Sequence, residues 1–233
     1  MPPTSVIGTL NEAPLHAALK AWYAAPGAQA EVMVDGYVID LVQDGLLVEI
    51  QTGNFGAIRR KLTALTAAGH AVRLVYPVAR EKWIVRQGAV PGAEARRRSP
   101  RCGMYADLFR ELVSFPRLML QPNFTLEVLL IEEAEFRRYD GRSWRRRGWA
   151  TDRRELLRVL ERRLFRTPAD LLALLPEALA DPFTVGDVAR TLGVGSRLAG
   201  QICYCLREME AIRADGRRGR AYLYRRGSPQ PGD

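Results

Sequence analysis

Two acidic residues interrupt an otherwise apolar pair of short segments, residues 38–43 and 46–51. An Asp-Gly dipeptide between the segments predicts a β-hairpin with a two-residue turn. That turn fixes the register and places Asp40 directly opposite Glu49, with Cβ atoms roughly 4.5 to 5.5 Å apart. Gln51 is expected on the same face because side chains alternate along a strand. Two carboxylates held this close repel each other in an apolar sheet, and a bound divalent cation is the simplest compensation.

This pattern resembles the active site of the PD-(D/E)xK nuclease superfamily, which has the restriction-endonuclease-like fold. The family motif is an Asp at the end of one strand and a Glu-x-Lys on the next, after a helix that often carries another Glu. Asp40 and Glu49-Ile50-Gln51 match the motif, and Glu12 lies on the first predicted helix. Gln51 departs from it, because Gln can hydrogen-bond a water or a phosphate oxygen but carries no positive charge. Family members with Gln at this position can remain active, and the resemblance covers about residues 8–86.

The resemblance implies an α/β fold, with a mixed sheet flanked by helices, and a metal-dependent nuclease site. Asp40 and Glu49 would hold one or two Mg²⁺ or Mn²⁺ ions, with the Ile50 carbonyl as a further ligand. Glu12 would complete the metal site or hold a water. Gln51 would orient the nucleophile.

The first predicted helix, residues 11–24, has Asn11 as its N-cap. Glu12, His16 and Lys20 recur at four-residue steps and therefore share one face. A solvated polar face explains His16 and Lys20, whereas the resemblance gives Glu12 a role.

A basic stretch on the next predicted helix, residues 55–68, offers a replacement for the missing lysine. Arg59, Arg60 and Lys61 occupy its first two turns on the outer side. They are close enough in sequence to bring positive charge to the carboxylates or to DNA. Lys61 is a candidate for a relocated catalytic lysine. The alternative is a surface charge on an amphipathic helix.

The chain has 233 residues and a net charge of +9, and the excess is unevenly distributed. Residues 1–85 contain seven basic and seven acidic residues, so the whole excess lies downstream. Only three of the 35 basic residues are lysines, and arginine suits bidentate contacts to phosphate. A genomic bias toward arginine explains part of that count but not its asymmetry.

No apolar run approaches the roughly 18 residues that a membrane span requires, and the N-terminus lacks a signal-peptide pattern. We therefore expect a cytoplasmic protein that does not enter a membrane. Its three cysteines have no metal-ligand spacing, and we interpret them as reduced thiols.

Two basic clusters follow the proposed nuclease region. Residues 87–103, with four arginines at 96–101, predict a basic loop, and Arg145, Arg146 and Arg147 lie between Trp144 and Trp149. Aromatic and arginine side chains together can stack on bases and contact phosphates, although tryptophan more often anchors a loop to a core. The nuclease-like domain is assigned to residues 1–150, and the charged stretch 151–167 predicts a linker helix.

The remainder, residues 168–227, resembles a winged helix-turn-helix domain, and residues 228–233 are expected to be a disordered tail. Thr184 predicts a helix N-cap, Gly193 ends that short helix, and Ser196 begins a recognition helix. Four arginines favour DNA contact: Arg197 on the recognition helix, and Arg217, Arg218 and Arg220 on the wing. The alternative is a module that binds protein.

The leading interpretation is a metal-dependent DNA endonuclease with Mg²⁺ or Mn²⁺ as cofactor. The main alternative is a DNA-binding or regulatory protein that keeps the nuclease fold without its chemistry. A third is two unrelated carboxylates in a purely structural sheet. Duplex, branched, damaged and single-stranded DNA, and RNA, all remain open as substrates. A homodimer would suit the cutting of both strands.

Overall fold

A computed structural model describes residues 13–87, 94–142 and 148–227 of the chain. The predictions for Glu12, for Arg145, Arg146 and Arg147, and for the tail 228–233 fall outside these residues. The first helix, α1, spans Pro14–Tyr23 and has Ala13 as its N-cap, so the prediction of Asn11 as N-cap is wrong, whereas its C-terminal end lies close to the predicted boundary.

The first three strands form an antiparallel meander, which the strand-like residues 31–34 and the Asp-Gly dipeptides at 35–36 and 44–45 predict. They are β1 (Gln29–Val34), β2 (Tyr37–Gln43) and β3 (Leu46–Ile50). The second turn contains Asp44 and Gly45, with φ of 49° and 77°. Two consecutive positive φ values are what a tight hairpin turn requires, which explains the Asp-Gly sequence. The predicted hairpin register is confirmed, since Gln43 pairs with Leu46.

A strand, a helix and a further apolar strand at 71–76 in succession predict a right-handed crossover. The structure has a parallel β3–α2–β4 unit. Helix α2 spans Phe55–Ala67, and β4 spans Ala71–Gln87. The sequence predicts two short strands in this range, residues 71–76 and 82–86. They are one continuous strand of 17 residues, because β4 pairs along almost its whole length with β6 (Phe124–Tyr139).

Seven strands form one mixed sheet, in the order β1-β2-β3-β4-β6-β7, with β5 (Glu94–Arg98) also pairing with β4. Strand β7 spans Trp149–Phe165 and lies at the opposite edge from β1. The pairs β3–β4 and β4–β6 are parallel and the others are antiparallel. The chain is therefore an α/β protein with a mixed sheet flanked by helices, as predicted.

Helices cover both faces of the sheet. On one face, Leu15 and Leu19 of α1 pack against a buried cluster that includes Val48 and Ile50. On the other, α2 contributes to a larger cluster together with a turn of 3-10 helix at Tyr105–Leu108, the short helix α3 (Phe109–Leu112) and a second 3-10 segment, Pro116–Leu120. The sequence predicted one amphipathic helix at about 105–113.

The prediction of a linker helix at 151–167 is wrong. These residues belong to β7, which pairs antiparallel with β6 from Tyr139↔Trp149 to Leu126↔Phe165. The first domain therefore does not end at residue 150, because the last strand of its sheet continues to Phe165.

The C-terminal unit, residues 168–227, contains three helices and a hairpin. The helices are α4 (Pro168–Leu172), α5 (Val185–Leu192) and α6 (Ser196–Glu208), and the hairpin is β8 (Ile212–Arg218) with β9 (Ala221–Arg226). Thr184 caps α5 as predicted, with its side chain accepting from Asp187 N at 3.2 Å. Gly193 ends α5 with φ of 63°.

Helix α6 also contacts α3 and the Pro116–Leu120 segment. Arg117 Nε lies 3.1 Å from Glu208 Oε2 across this contact. Leu171, Phe183 and Ile202 consequently belong to the same buried cluster as Phe109 and Leu112. The C-terminal unit and the sheet thus share one apolar core.

Candidate functional site

The backbone ladder between β2 and β3 ends at the pair Leu41↔Val48. Beyond it, side chains replace the missing backbone partners. Ile50 N donates to Asp40 Oδ2 at 2.8 Å, and Asp40 N donates to Glu49 Oε1 at 3.4 Å. The two carboxylates therefore meet where the strands separate, and each one binds the opposite strand.

The regular alternation of side chains along β2 is interrupted at Asp40. Ile39 packs in the larger core beneath α2, whereas Leu41 packs in the cluster beneath α1. Regular alternation would place residues two apart on one face. The side chains of β2 therefore change cluster across Asp40, the residue between Ile39 and Leu41.

Lys61 reaches the carboxylates from α2. Its Nζ lies 2.5 Å from Glu49 Oε1, and it also donates to the Val38 carbonyl. The side chain of Lys61 is 17% exposed and that of Glu49 is 6% exposed. Lys61 is therefore a largely buried partner of Glu49, and the interpretation as a surface charge is wrong.

The two carboxylates differ in their electrostatics. Burial and the nearby Asp40 raise the pKa of Glu49 to about 7, although Lys61 opposes the shift. Burial also opposes the charge on Asp40. At Asp40, however, the hydrogen bonds from His16 and Ile50 N outweigh burial, so the pKa of Asp40 is lowered. Asp40 thus carries the first negative charge of the pair, and Glu49 ionises near neutral pH.

We expect the metal-free protein to lose stability as the pH rises toward 7. The folded state keeps the proton of Glu49 up to about pH 7, whereas a free carboxyl group releases it near pH 4.5. The free energy of unfolding should therefore fall by about 3 kcal/mol across that interval, with no further loss from this group above it. Urea unfolding in EDTA measures the effect. Glu49→Gln should remove the fall, and a wild-type curve parallel to that of the variant would contradict the prediction.

The site offers oxygen ligands for a divalent cation. Within the described ranges, Asp40 Oδ1 and Glu49 Oε2 accept no hydrogen bond, because the contacts use the other oxygen of each group. Carboxylate oxygens suit Mg²⁺ and Mn²⁺. No group of three or more His, Cys, Asp or Glu side chains among residues 13–87, 94–142 and 148–227 is arranged to hold a metal. Two carboxylates, with the Ile50 carbonyl, are therefore the donors that this part of the chain provides.

Gln51 faces its own loop in this structure. Its Nε2 donates to the Gly53 carbonyl at 2.5 Å and more weakly to Asn54 O at 3.4 Å. The amide thereby fixes the turn that leads into α2, and α2 carries Lys61. An indirect role in positioning Lys61 follows from this arrangement.

His16 was interpreted from the sequence as part of a solvated face, and the structure gives it another role. Its Nε2 lies 3.2 Å from Asp40 Oδ2. Lys20, one turn later on α1, lies 3.0 Å from Glu31. The four-residue spacing of these side chains was the available signal, but only the packing of α1 on the sheet shows what the face touches.

The predicted nucleic-acid contacts are spread over the surface. Arg59 and Arg60 are exposed on α2, and Arg197 is exposed on the first turn of α6. Arg217 and Arg220 are exposed on the hairpin, where Arg217 Nη2 donates to Tyr222 Oη at 2.7 Å.

Arg218 differs from these arginines, because its Nη1 lies 3.5 Å from Asp187 Oδ2. The hairpin turn itself lies at Gly219 and Arg220. This turn lies within residues 215–220, the stretch between the two strands that the sequence predicts, and the ladder is irregular between Ala214 and Arg217.

Comparison with known proteins places the chain in a family. The family described as "Domain of unknown function (DUF8091)" matches residues 13–166, from the start of α1 to just after β7. An uncharacterized protein of Treponema pallidum (strain Nichols) is 33% identical over 228 residues, covering 96% of this chain and 88% of the relative. No solved structure matches. Among the described residues, none of the helices is long and apolar enough to cross a bilayer. On the family match and this relative, the chain belongs to the DUF8091 family.

Proposed function

We propose that the protein is a metal-dependent DNA endonuclease that hydrolyses phosphodiester bonds. The observation that carries the proposal is the cluster of Asp40, Glu49 and Lys61 at the point where two strands separate. Two carboxylates and one ammonium group, largely buried and on three different elements, are more than a sheet needs for its stability. The order of elements supports a restriction-endonuclease-like fold, in which a meander is followed by a helical crossover to a parallel strand.

Each group has a role in such a reaction. Asp40 and Glu49, with the Ile50 carbonyl, would hold Mg²⁺ or Mn²⁺. The metal would supply Lewis-acid chemistry, lowering the pKa of a bound water and neutralising charge on the scissile phosphate. Lys61 would supply the positive charge that Gln51 lacks, toward the developing charge on the phosphate. His16 would orient Asp40, and Glu12, which precedes α1 in the sequence, would add a further carboxylate.

We also propose that the C-terminal unit is a winged helix-turn-helix that binds DNA. Helix α5, a glycine turn and α6 are followed directly by a two-stranded hairpin, which supports this assignment. The first turn of α6 exposes Arg197, and the hairpin exposes Arg217 and Arg220. A recognition helix reads DNA with its N-terminal residues, and a wing contacts phosphates.

The test of nuclease function is cleavage by the purified full-length chain. Supercoiled plasmid, branched DNA, single-stranded DNA and RNA are incubated with Mg²⁺ or Mn²⁺, and in parallel with EDTA. Metal-dependent cutting of at least one DNA substrate supports the proposal. A ratio of linear to nicked plasmid product shows whether both strands are cut together, as a homodimer would do. No cleavage with either metal would refute it.

Removing arginines from the hairpin and from α6 should weaken DNA binding. The variant carries Arg197→Gln, Arg217→Gln and Arg220→Gln, and Arg218 is retained because it neutralises Asp187 at the helix cap. The slope of log affinity against log salt on duplex DNA should fall by about 0.9 for each phosphate that the variant no longer neutralises. Fluorescence anisotropy at several salt concentrations measures it.

Arg225→Gln is the matched control for that variant. Arg225 lies on the same hairpin but pairs with Asp215, with Nη2 2.8 Å from Oδ2. It should therefore leave the slope unchanged. A triple variant that binds with the wild-type slope would identify the C-terminal unit as a protein-binding module.

A second candidate function is DNA binding without catalysis, for instance in regulation. The orientation of Gln51 favours it, because the amide binds the backbone at residues 53 and 54 and not the carboxylates. DNA binding that is unaffected by Asp40→Asn, combined with no cleavage of any substrate, would select this function.

A further inference from the structure

A charged cleft of about 330 Å³ lies beyond the end of β3, outside the carboxylate pair. Its walls come from β4, β6, β7 and the residues between β5 and β6, including the 3-10 turn at Tyr105–Leu108 and α3. Thr52, three residues after Glu49, forms part of the rim. The cleft therefore lies on the same side of the molecule as the C-terminal end of β3.

The cleft contains more positive than negative side chains. The cations are Lys82, Arg101, Arg110, Arg137 and Arg154, and the carboxylates are Asp107, Glu133 and Glu135. Five cations face three carboxylates, which leaves an excess of about two positive charges when all are ionised. A cleft with an excess of positive charge attracts anions and raises their local concentration.

The two glutamates of the cleft are already paired. Lys82 Nζ lies 2.8 Å from Glu133 Oε1 and 2.9 Å from Glu135 Oε2, and Arg137 Nε lies 2.7 Å from Glu135 Oε1. Burial alone would raise the pKa of Glu135, but Lys82 and Arg137 outweigh it and lower the pKa to about 2. Glu135 is therefore ionised at neutral pH, and its charge is already engaged by two of the five cations.

Arg154 has the loosest contacts of the five cations. Its Nη1 lies 3.9 Å from Glu133 Oε2, and its Nη2 lies 3.5 Å from the Thr52 carbonyl. Both distances exceed those of a strong charge-assisted hydrogen bond. On the other side of the cleft, Arg101 and Arg110 both contact Asp107, so one carboxylate neutralises only one of these two guanidinium groups. These guanidinium groups retain donors for a ligand.

We propose that this cleft binds a phosphate monoester, as carried by a free mononucleotide or by the terminal phosphate of a nucleic-acid strand. A monoester carries a charge near −2 at neutral pH, which matches the excess, whereas an internal phosphodiester carries −1. Guanidinium groups bind phosphate oxygens bidentately. The volume of the cleft is in the range of small-ligand sites and exceeds what one bare ion needs. The proposal does not require catalysis at Asp40 and Glu49.

The test is calorimetric binding by the full-length chain in EDTA, so that the metal site plays no part. The probes are inorganic phosphate, a 5′-mononucleotide, and one oligonucleotide with and without a terminal phosphate. Wild type should bind the phosphorylated probes, and the oligonucleotide should lose at least about tenfold in affinity without its phosphate. A mononucleotide that binds as tightly as the oligonucleotide identifies a nucleotide site, and a much tighter oligonucleotide identifies a strand end. Equal binding of the two oligonucleotides, or none of any phosphorylated probe, overturns the proposal.

Arg154→Gln combined with Arg110→Gln should lower the affinity for every phosphorylated probe by at least about tenfold. Arg158→Gln is the control, because Arg158 lies on the same strand but outside the cleft, with its Nε 2.7 Å from Glu132 Oε2. Equal loss in both proteins would mean that general charge, and not the cleft, binds the probes.

Hydrogen exchange on the wild-type protein provides a measurement that does not depend on folding of the variants. The mononucleotide should slow exchange in segments 99–110 and 133–137. Protection confined to other segments would overturn the assignment to this cleft.

Discussion

Asp40→Asn is expected to lower the rate of metal-dependent DNA cleavage by at least about 10³-fold. The substitution removes the carboxylate that carries the first charge of the pair, and a metal contributes several kcal/mol to such a transition state. The amide oxygen of Asn can still accept from Ile50 N, which Asp40 Oδ2 does at 2.8 Å. Single-turnover cleavage at saturating Mg²⁺ measures the effect on chemistry, and calorimetry measures the loss of metal binding.

Asp35→Asn is the matched control for this variant. Asp35 lies in the turn between β1 and β2, and its Oδ2 lies 2.7 Å from His70 Nε2. The same chemical change a few residues away should leave cleavage intact. Thermal unfolding in EDTA should show that Asp40→Asn keeps the fold with little change in stability, because the substitution removes the charge that pairs with His16 and also relieves the repulsion with Glu49. Undiminished cleavage by the Asp40 variant would refute the site.

Lys61→Met is expected to lower the cleavage rate by about 10² to 10³-fold. Removing one preorganised cationic or hydrogen-bond donor from a developing negative charge typically has this effect. The variant should also change the pH profile, because Lys61 opposes the upward shift of the pKa of Glu49. Without Lys61 the pKa of Glu49 rises above about 7. The pH at which the cleavage rate begins to fall on acidification should therefore move upward.

Arg60→Met serves as the control on the same helix, because Arg60 is exposed next to the largely buried Lys61. The shift in pH profile distinguishes a role at the carboxylates from a general loss of DNA affinity. Lys61→Arg should recover part of the activity, since it restores positive charge. Identical rates and pH profiles in the Lys61 and Arg60 methionine variants would exclude Lys61 from the site.

The elements nearest the carboxylates were predictable because their signals are local. Asp-Gly turns at 35–36 and 44–45 set the meander, and turn geometry alone determined which residues of β2 and β3 face each other. The β3–α2–β4 crossover followed from a strand, an amphipathic helix and another apolar strand in succession. The sequence offered Lys61 as a candidate for the missing lysine, but it could not show the contact of Lys61 with Glu49. Lys61 reaches it only because α2 lies across the end of the hairpin.

Strand β7 shows why a helix was predicted where a strand exists. Leu156, Leu160 and Leu164 are spaced four apart, which is the spacing of a helix face. In the sheet, irregularities in the β6–β7 register interrupt the alternation, so exposed residues occur in pairs such as 157–158 and 161–162. Pairing with β6 outweighs the local pattern, and this non-local effect is absent from the sequence signal.

The core shared by the sheet and the C-terminal unit has a consequence for the products of cleavage. Because Phe183 and Ile202 pack in one cluster with Phe109 and Leu112, the hairpin cannot swing relative to Asp40 without opening that cluster. If the hairpin binds DNA and the site at Asp40 and Glu49 cleaves it, a constant number of base pairs should separate the bound position from the cleaved position. An end-labelled duplex with one preferred binding position should then give fragments with a narrow distribution of lengths. A flexible tether would instead produce a broad distribution of lengths.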